Sequence, residues 1–106
     1  MSVLKNDDLP TGNKVKIAQV ITTEEAKVII ISGAAGDKLA QHKVNGNGLL
    51  LVKKGTIRFT VGEEHQEFTE GEGHSIPSEV IHAVTCITDA EFFVIIPVRS
   101  KIKFER

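Results

Sequence analysis

Short apolar runs separated by turn-forming residues make up the chain from residue 14 onwards. Residues 56–61 alternate, with Ile57, Phe59 and Val61 on one face and polar residues on the other, which is the period of a half-buried β-strand. Clusters of glycine, asparagine and aspartate stand between the runs. With no sustained 3.6-residue apolar period, the pattern predicts an all-β sandwich or barrel. The predicted strands are 14–21, 26–32, 39–44, 49–53, 56–61, 65–68, 74–76, 82–87, 90–96 and 100–104.

Two of these runs carry bulky apolar residues on both faces. Residues 28–31 read Val-Ile-Ile-Ile, and residues 92–96 read Phe-Phe-Val-Ile-Ile. A strand with water on one side should alternate between apolar and polar residues, so we expect both faces of these strands to be covered. One cover is a second copy of the chain, and we expect a symmetric homodimer.

Length and composition indicate one ordinary globular domain. The 106 residues divide into a flexible arm over 1–13, which is rich in turn formers, and a single domain over 14–106. The net charge of −1 and the lack of Tyr and Trp argue against binding to nucleic acid or to an anionic membrane. Cys86 is the only cysteine, which excludes an internal disulfide, and the first residues are acidic where a leader would be apolar. We therefore expect a cytoplasmic protein.

The most specific feature is a pair of spacings around two histidines. The first is Gly, five residues, His and a later Gly, and the second is Gly, five residues, Pro, four residues and His. The residues concerned are Gly36, His42, Gly55, Gly71, Pro77 and His82. This arrangement resembles the two motifs of the cupin superfamily. The resemblance implies a cupin double-stranded β-helix, that is, a jelly-roll barrel.

The same comparison shows where the chain departs from the family pattern. In the first motif, Val44 replaces the second His and Gly48 replaces the Glu. In the second motif, Glu79 replaces the second Gly and Cys86 replaces the Asn. Of the four metal-ligand positions that the resemblance implies, His42 and His82 remain. Two imidazoles are fewer than the three protein ligands of a catalytic zinc site. The cofactor implied is a weakly held divalent transition metal: zinc, nickel, manganese or iron.

His74 is the best candidate for a third ligand. It shares a strand face with Ile76, which is expected to point into the barrel. If residues 77–81 form a hairpin, His74 and His82 lie on paired strands and face the same interior. Cys86 shares the face of His82 and either joins these ligands or is a small buried apolar residue.

Three functions remain open at this stage. The first is a protein that binds a small molecule in the barrel, with or without a metal. The second is a cupin-type metalloenzyme, a dioxygenase or an isomerase, in which Glu79 is a late ligand or a general base. The third is a structural dimer with a vestigial pocket. His65 is expected at the surface, and a solvated acidic face is expected from Glu63, Glu64, Glu67, Glu70 and Glu72.

Overall fold

The computed structural model describes residues 15–104 as ten β-strands, so the arm predicted for residues 1–13 lies outside the described residues. Each predicted strand has a counterpart whose ends lie within two residues of the prediction. The strands are β1 (Lys16–Thr22), β2 (Ala26–Gly33), β3 (Lys38–Val44), β4 (Gly48–Lys54), β5 (Thr56–Val61), β6 (Glu64–Thr69), β7 (Gly73–Ile76), β8 (His82–Cys86), β9 (Ala90–Pro97) and β10 (Ile102–Phe104). The prediction of an all-β fold is confirmed.

The strands form two five-stranded antiparallel sheets that face each other. One sheet has the order β1-β2-β9-β4-β7, and the other has the order β10-β3-β8-β5-β6. Strands that are neighbours in the sequence often lie in different sheets, which makes the fold a jelly roll. Within residues 15–104 there is no helix that could cross a membrane.

The core lies between the two sheets and follows the alternation of the strands. In β9, Phe92, Val94 and Ile96 are buried, while the residues between them are only partly covered. Ile29 of β2, in the same sheet, and Ile57 of β5, in the opposite sheet, pack against these residues. Both are fully buried. Removal of this apolar surface from water is the main stabilising contribution to such a fold.

The opposite face of the first sheet is also apolar, and in the single chain it is only partly covered. Val28, Ile95 and Leu49 lie side by side on β2, β9 and β4, and Ile30, Phe93 and Leu51 form a second row. The exposed fractions of Leu49 and Leu51 are 51% and 38%. We call these six residues the outer apolar face. Both faces of β2 and β9 were expected to be covered. In a single chain only the inner face is covered, by the opposite sheet, while the outer apolar face is partly exposed.

Candidate functional site

An open cavity of about 520 Å³ lies where the edge strands β6 and β7 of the two sheets come near each other. Its lining residues come from β5, β6, β7 and the segment 77–81. They are Phe59, Val61, Glu64, His65, Gln66, His74, Pro77 and Val80. Apolar walls with a few polar groups are typical of pockets for small molecules. His65 is exposed, as expected, and stands at the rim.

His42 and His82 form a buried pair beside this cavity. They are direct partners on the adjacent strands β3 and β8, and their ring centroids are 4.2 Å apart at an interplanar angle of 65°. Only 2% of His42 and 3% of His82 are exposed. The resemblance to cupins therefore singled out two residues that the fold does bring together.

The hydrogen bonds of the pair determine which ring nitrogens carry a proton. The Nδ1 atom of His42 lies 2.7 Å from the carbonyl oxygen of Ala40, and the Nδ1 atom of His82 lies 2.9 Å from that of Val80. A carbonyl oxygen only accepts, so each Nδ1 donates, and in the neutral ring Nε2 is an acceptor. The pair thus offers two neighbouring acceptor nitrogens.

Burial keeps both rings neutral. It lowers the pKa of His42 from 6.5 to about 4, with the neighbouring His82 as a second cause, and it also lowers the pKa of His82. On its other side His42 borders a small apolar void lined by residues such as Ile31, Leu39 and Phe104. Two neutral imidazoles in apolar surroundings suit binding through Nε2 lone pairs.

The expected pairing of the His74 and His82 strands is wrong. Strand β7 pairs with β4 in the first sheet, whereas β8 pairs with β3 and β5 in the second. Residues 77–81 therefore cross from one sheet to the other instead of forming a hairpin. The backbone positions next to β8 are already taken by β3 and β5, so β7 has no edge of β8 to join.

Phe59 lies in contact with both His74 and His82. Its ring centroid is 5.4 Å from that of His74 and 5.1 Å from that of His82, and His74 also stacks on Phe68 at 5.3 Å. Within residues 15–104, no three His, Cys, Asp or Glu side chains come close enough to hold a metal ion together. To join His42 and His82 around one ion, His74 would need the Phe59 ring to move.

Of the two positions where the cupin pattern has further ligands, one carries an apolar core residue and the other has no room for a side chain. Val44 is 1% exposed and belongs to the core. A Cβ atom at Gly48 would lie 2.7 Å from the carbonyl oxygen of Ile95 and 3.0 Å from Cγ2 of Ile96. The chain therefore has no space for a carboxylate ligand at residue 48, and the described residues do not fit a complete three-ligand site.

Cys86 takes no part in the site. It is buried next to Gly33, at the end of β8 that is roughly 13 Å along the strand from His82. Burial, together with the charges of Asp37 and Asp89, raises the pKa of its thiol to about 11. The interpretation of Cys86 as a small buried apolar residue is confirmed.

Glu79 stands in the crossing segment 77–81 with a φ of 65°. A glycine would adopt this conformation freely, which explains why the cupin pattern has glycine at this position. The backbone N–H of Glu79 donates to the carbonyl of Val44 at 2.8 Å, and its carboxylate lies 3.8 Å from Nζ of Lys43. The residue thus ties the crossing segment to β3.

Two cavity residues were missed as site residues in the sequence. Glu64 and Gln66 alternate with the buried Phe68 on β6, so all three point inward. Glu64 is exposed, as predicted for the acidic face, and it also borders the cavity. The two-residue period from Phe68 was the signal that could have identified both.

A comparison with protein families shows which family the chain belongs to. The sequence profile of the cupin domain matches residues 26–96. The chain belongs to the cupin family. No curated protein matches this cupin.

Solved structures show the same fold at low sequence identity. A cupin superfamily protein from Desulfitobacterium hafniense superimposes with a TM-score of 0.73 at 15% identity, covering 92% of this chain and 84% of that one. The polyketide cyclase RemF from Streptomyces resistomycificus gives 0.74 at 12% identity, covering 100% and 86%. A salicylate 1,2-dioxygenase from Pseudoaminobacter salicylatoxidans, with gentisate adducts, gives 0.75 at 14% identity, covering 92% and 31%. These likenesses concern the fold alone.

Proposed function

We propose that this cupin binds a small organic molecule in the open cavity beside the His42–His82 pair. The observation that carries the proposal is the cavity of about 520 Å³, which is lined by four apolar and four polar residues, Glu64, Gln66 and His74 among the polar ones. Pockets of this size accept small ligands without rearrangement of the fold. Ligand binding requires no catalytic group, so it agrees with the incomplete metal-ligand set of this chain.

Filling the cavity is expected to abolish binding. Val61 lines the cavity and is 36% exposed, so a Val61→Trp variant should place its indole in the cavity without disturbing the core. A fragment library screened by ligand-observed NMR should give hits for the wild type that disappear in this variant. Glu24→Trp, in the exposed turn before β2, is the matched control and should keep the hits. Hits that persist in Val61→Trp would contradict the proposal.

A second candidate function is weak binding of a divalent transition metal by His42 and His82, with His74 as a third ligand if Phe59 moves. The observation that favours it is the pair of acceptor Nε2 atoms set by the bonds to Ala40 and Val80. A bound zinc, nickel, manganese or iron ion would supply Lewis-acid chemistry. A dioxygenase or isomerase activity remains the enzymatic alternative, and it would need ligands beyond the two histidines.

Titration calorimetry of the purified protein with each of these four ions tests the metal site. We expect His82→Asn to abolish the heat of binding, because the variant keeps the donor towards Val80 but loses Nε2. His65→Asn changes an exposed histidine at the cavity rim and is the control. If both variants lose the heat of metal binding equally, or if His82→Asn retains it, a metal site on the buried pair is refuted.

We also propose that two copies of the chain associate through the outer apolar face. Surface patches of contiguous apolar side chains such as Leu49, Leu51 and Phe93 are typical of protein interfaces. Light scattering of the wild type should give twice the 11.6 kDa of one chain, and Leu51→Glu should reduce it to one chain. Ile81→Glu, which is as exposed but stands beside the cavity, should leave the dimer intact. A monomeric wild type would contradict the proposal.

The expected surroundings of the protein belong to the same proposal. The net charge of −1 supports a protein that avoids nucleic acid and anionic membranes. The single cysteine, buried and with a raised pKa, supports a cytoplasmic location, where disulfides are rare.

A further inference from the structure

A single carboxylate borders the open cavity, together with the polar side chains of His65, Gln66 and His74. We propose that its ligand is a small organic cation, a protonated primary amine on an apolar body. This proposal deepens the function proposed above and rests on it. It is carried by three observations: a carboxylate that borders the cavity, the lack of lysine and arginine in the cavity wall, and the aromatic ring of Phe59 on the same face of the sheet.

The carboxylate is that of Glu64. Glu64 is paired with Val61, and Gln66 is paired with Phe59, on the adjacent strands β5 and β6. All four side chains line the cavity, because they share the face of β5 and β6 that points towards the other sheet. The carboxylate and the side-chain amide oxygen of Gln66 are both acceptors, and an ammonium group is a donor through all three of its hydrogens.

Lysine and arginine side chains do not line the cavity in the described part of the chain, and the imidazoles of His65 and His74 are its other titratable groups. Arg58 precedes the cavity residue Phe59 in sequence but points to the opposite face, where its Nη2 donates to Oε2 of Glu67 at 2.9 Å. Lys43 is directed towards the carboxylate of Glu79 at 3.8 Å. No lysine or arginine in the cavity wall therefore offsets the negative charge of Glu64.

The aromatic wall suits a cation as well as an apolar body. Phe59 and His74 line the cavity with their ring centroids 5.4 Å apart, and His82 stacks on Phe59 from the interior. A cation close to an aromatic face is attracted by the ring quadrupole. Behind Phe59, the Nε2 atoms of His42 and His82 are acceptors too, so the deeper interior also favours hydrogen-bond donors.

Other ligand classes fit these observations less well. A carboxylate ligand would bring a like charge towards Glu64 with no lysine or arginine in the cavity wall to compensate it. A bare metal ion at Glu64 would lack ligands, because residues 15–104 contain no cluster of three His, Cys, Asp or Glu side chains. An ammonium needs one carboxylate and a few acceptors, which is what the cavity wall provides.

Three probes of nearly equal shape separate these classes. Benzylamine is protonated at neutral pH, benzyl alcohol is neutral, and benzoate is an anion. Each is titrated into the full-length ¹⁵N-labelled protein at low salt, and the amide shifts of β5, β6 and β7 are followed. We expect the ammonium to bind about tenfold or more tightly than benzoate, with the alcohol between them, and added salt to narrow the difference.

Two variants on the same strand identify the source of the preference. Glu64→Gln keeps the shape of the side chain but removes its charge, so the three probes should bind this variant with similar affinity. Glu67→Gln makes the same change on the outward face of β6 and should preserve the order. Loss of the preference in Glu67→Gln but not in Glu64→Gln would overturn the assignment to Glu64.

The remaining outcomes separate this proposal from the one it rests on. If benzoate or benzyl alcohol binds in the cavity as tightly as benzylamine, the preference for cations is wrong while binding of small molecules stands. If none of the probes shifts the cavity amides and the fragment screen is also empty, both proposals are wrong. A preference for benzylamine that Val61→Trp does not weaken would place the cation elsewhere and would overturn the inference.

Discussion

Replacing Gly55 with alanine is expected to destabilise the protein by about 3 kcal/mol or more. Gly55 has a φ of 78°, and a Cβ atom there would collide with the carbonyl oxygen of Asp89 and with Oγ1 of Thr88. The left-handed conformation costs an L-residue about 1–2 kcal/mol, and forcing an atom into packed backbone adds roughly 1–3 kcal/mol. Urea denaturation of the two proteins measures the difference in the free energy of unfolding.

Gly71 is the matched control for this prediction. Its φ of 83° is nearly the same, but a Cβ atom there would meet nothing within 4 Å. Gly71→Ala should therefore cost only the conformational penalty, about 1–2 kcal/mol. If both variants lose the same free energy of unfolding, the close approach of residues 88–90 to Gly55 does not contribute to the cost of Gly55→Ala.

Lowering the pH from about 6.5 to about 4 is expected to remove about 3 kcal/mol of stability through His42 alone. The folded state lowers the pKa of this ring from 6.5 to about 4, chiefly because the ring is buried. Between these two values the unfolded chain binds a proton that the folded chain does not, so the free energy of unfolding rises with pH across this window. Each pKa unit corresponds to about 1.4 kcal/mol.

The His42→Asn variant isolates this contribution from that of the carboxylates. Its side-chain amide keeps a donor for the carbonyl of Ala40 but does not titrate. Urea denaturation at a series of pH values should give a shallower slope for this variant between pH 4 and 6.5, with His82 still contributing in the same direction. His65→Asn, at an exposed position, should retain the wild-type slope. Identical slopes for wild type and His42→Asn would refute the prediction.

Local patterns in the sequence were sufficient to locate the strands. The alternation of Ile57, Phe59 and Val61 predicted β5 to the residue, because a strand with one buried face reveals itself by its period of two. The same rule applied to Phe68 would have placed Glu64 in the cavity. The predicted solvent exposure of Glu64 is confirmed, but the cavity beside it was missed because the acidic residues were treated as one surface instead of being divided between the two faces of a strand.

Pairing between distant strands was not accessible in the same way. His74 lies eight positions before His82, yet its strand pairs with β4, whose residues Leu50 and Leu51 are more than twenty positions away. Sequence neighbours were therefore a poor guide, because a jelly roll sends consecutive strands to opposite sheets. The cupin spacing succeeded for His42 and His82 since it describes residues that meet across the fold, which the local pattern does not.

The bonds from the two Nδ1 atoms to the carbonyls of Ala40 and Val80 make the buried rings spectroscopic reporters. Each Nδ1–H proton is shielded from solvent by a ring that is at most 3% exposed. Such protons exchange slowly enough to give their own resonances in a region of the spectrum that few other groups occupy. Any donor, ion or proton that arrives at an Nε2 atom changes the electron distribution of that ring. The Nδ1–H resonances of His42 and His82 can therefore report binding at the buried pair without any chemical label.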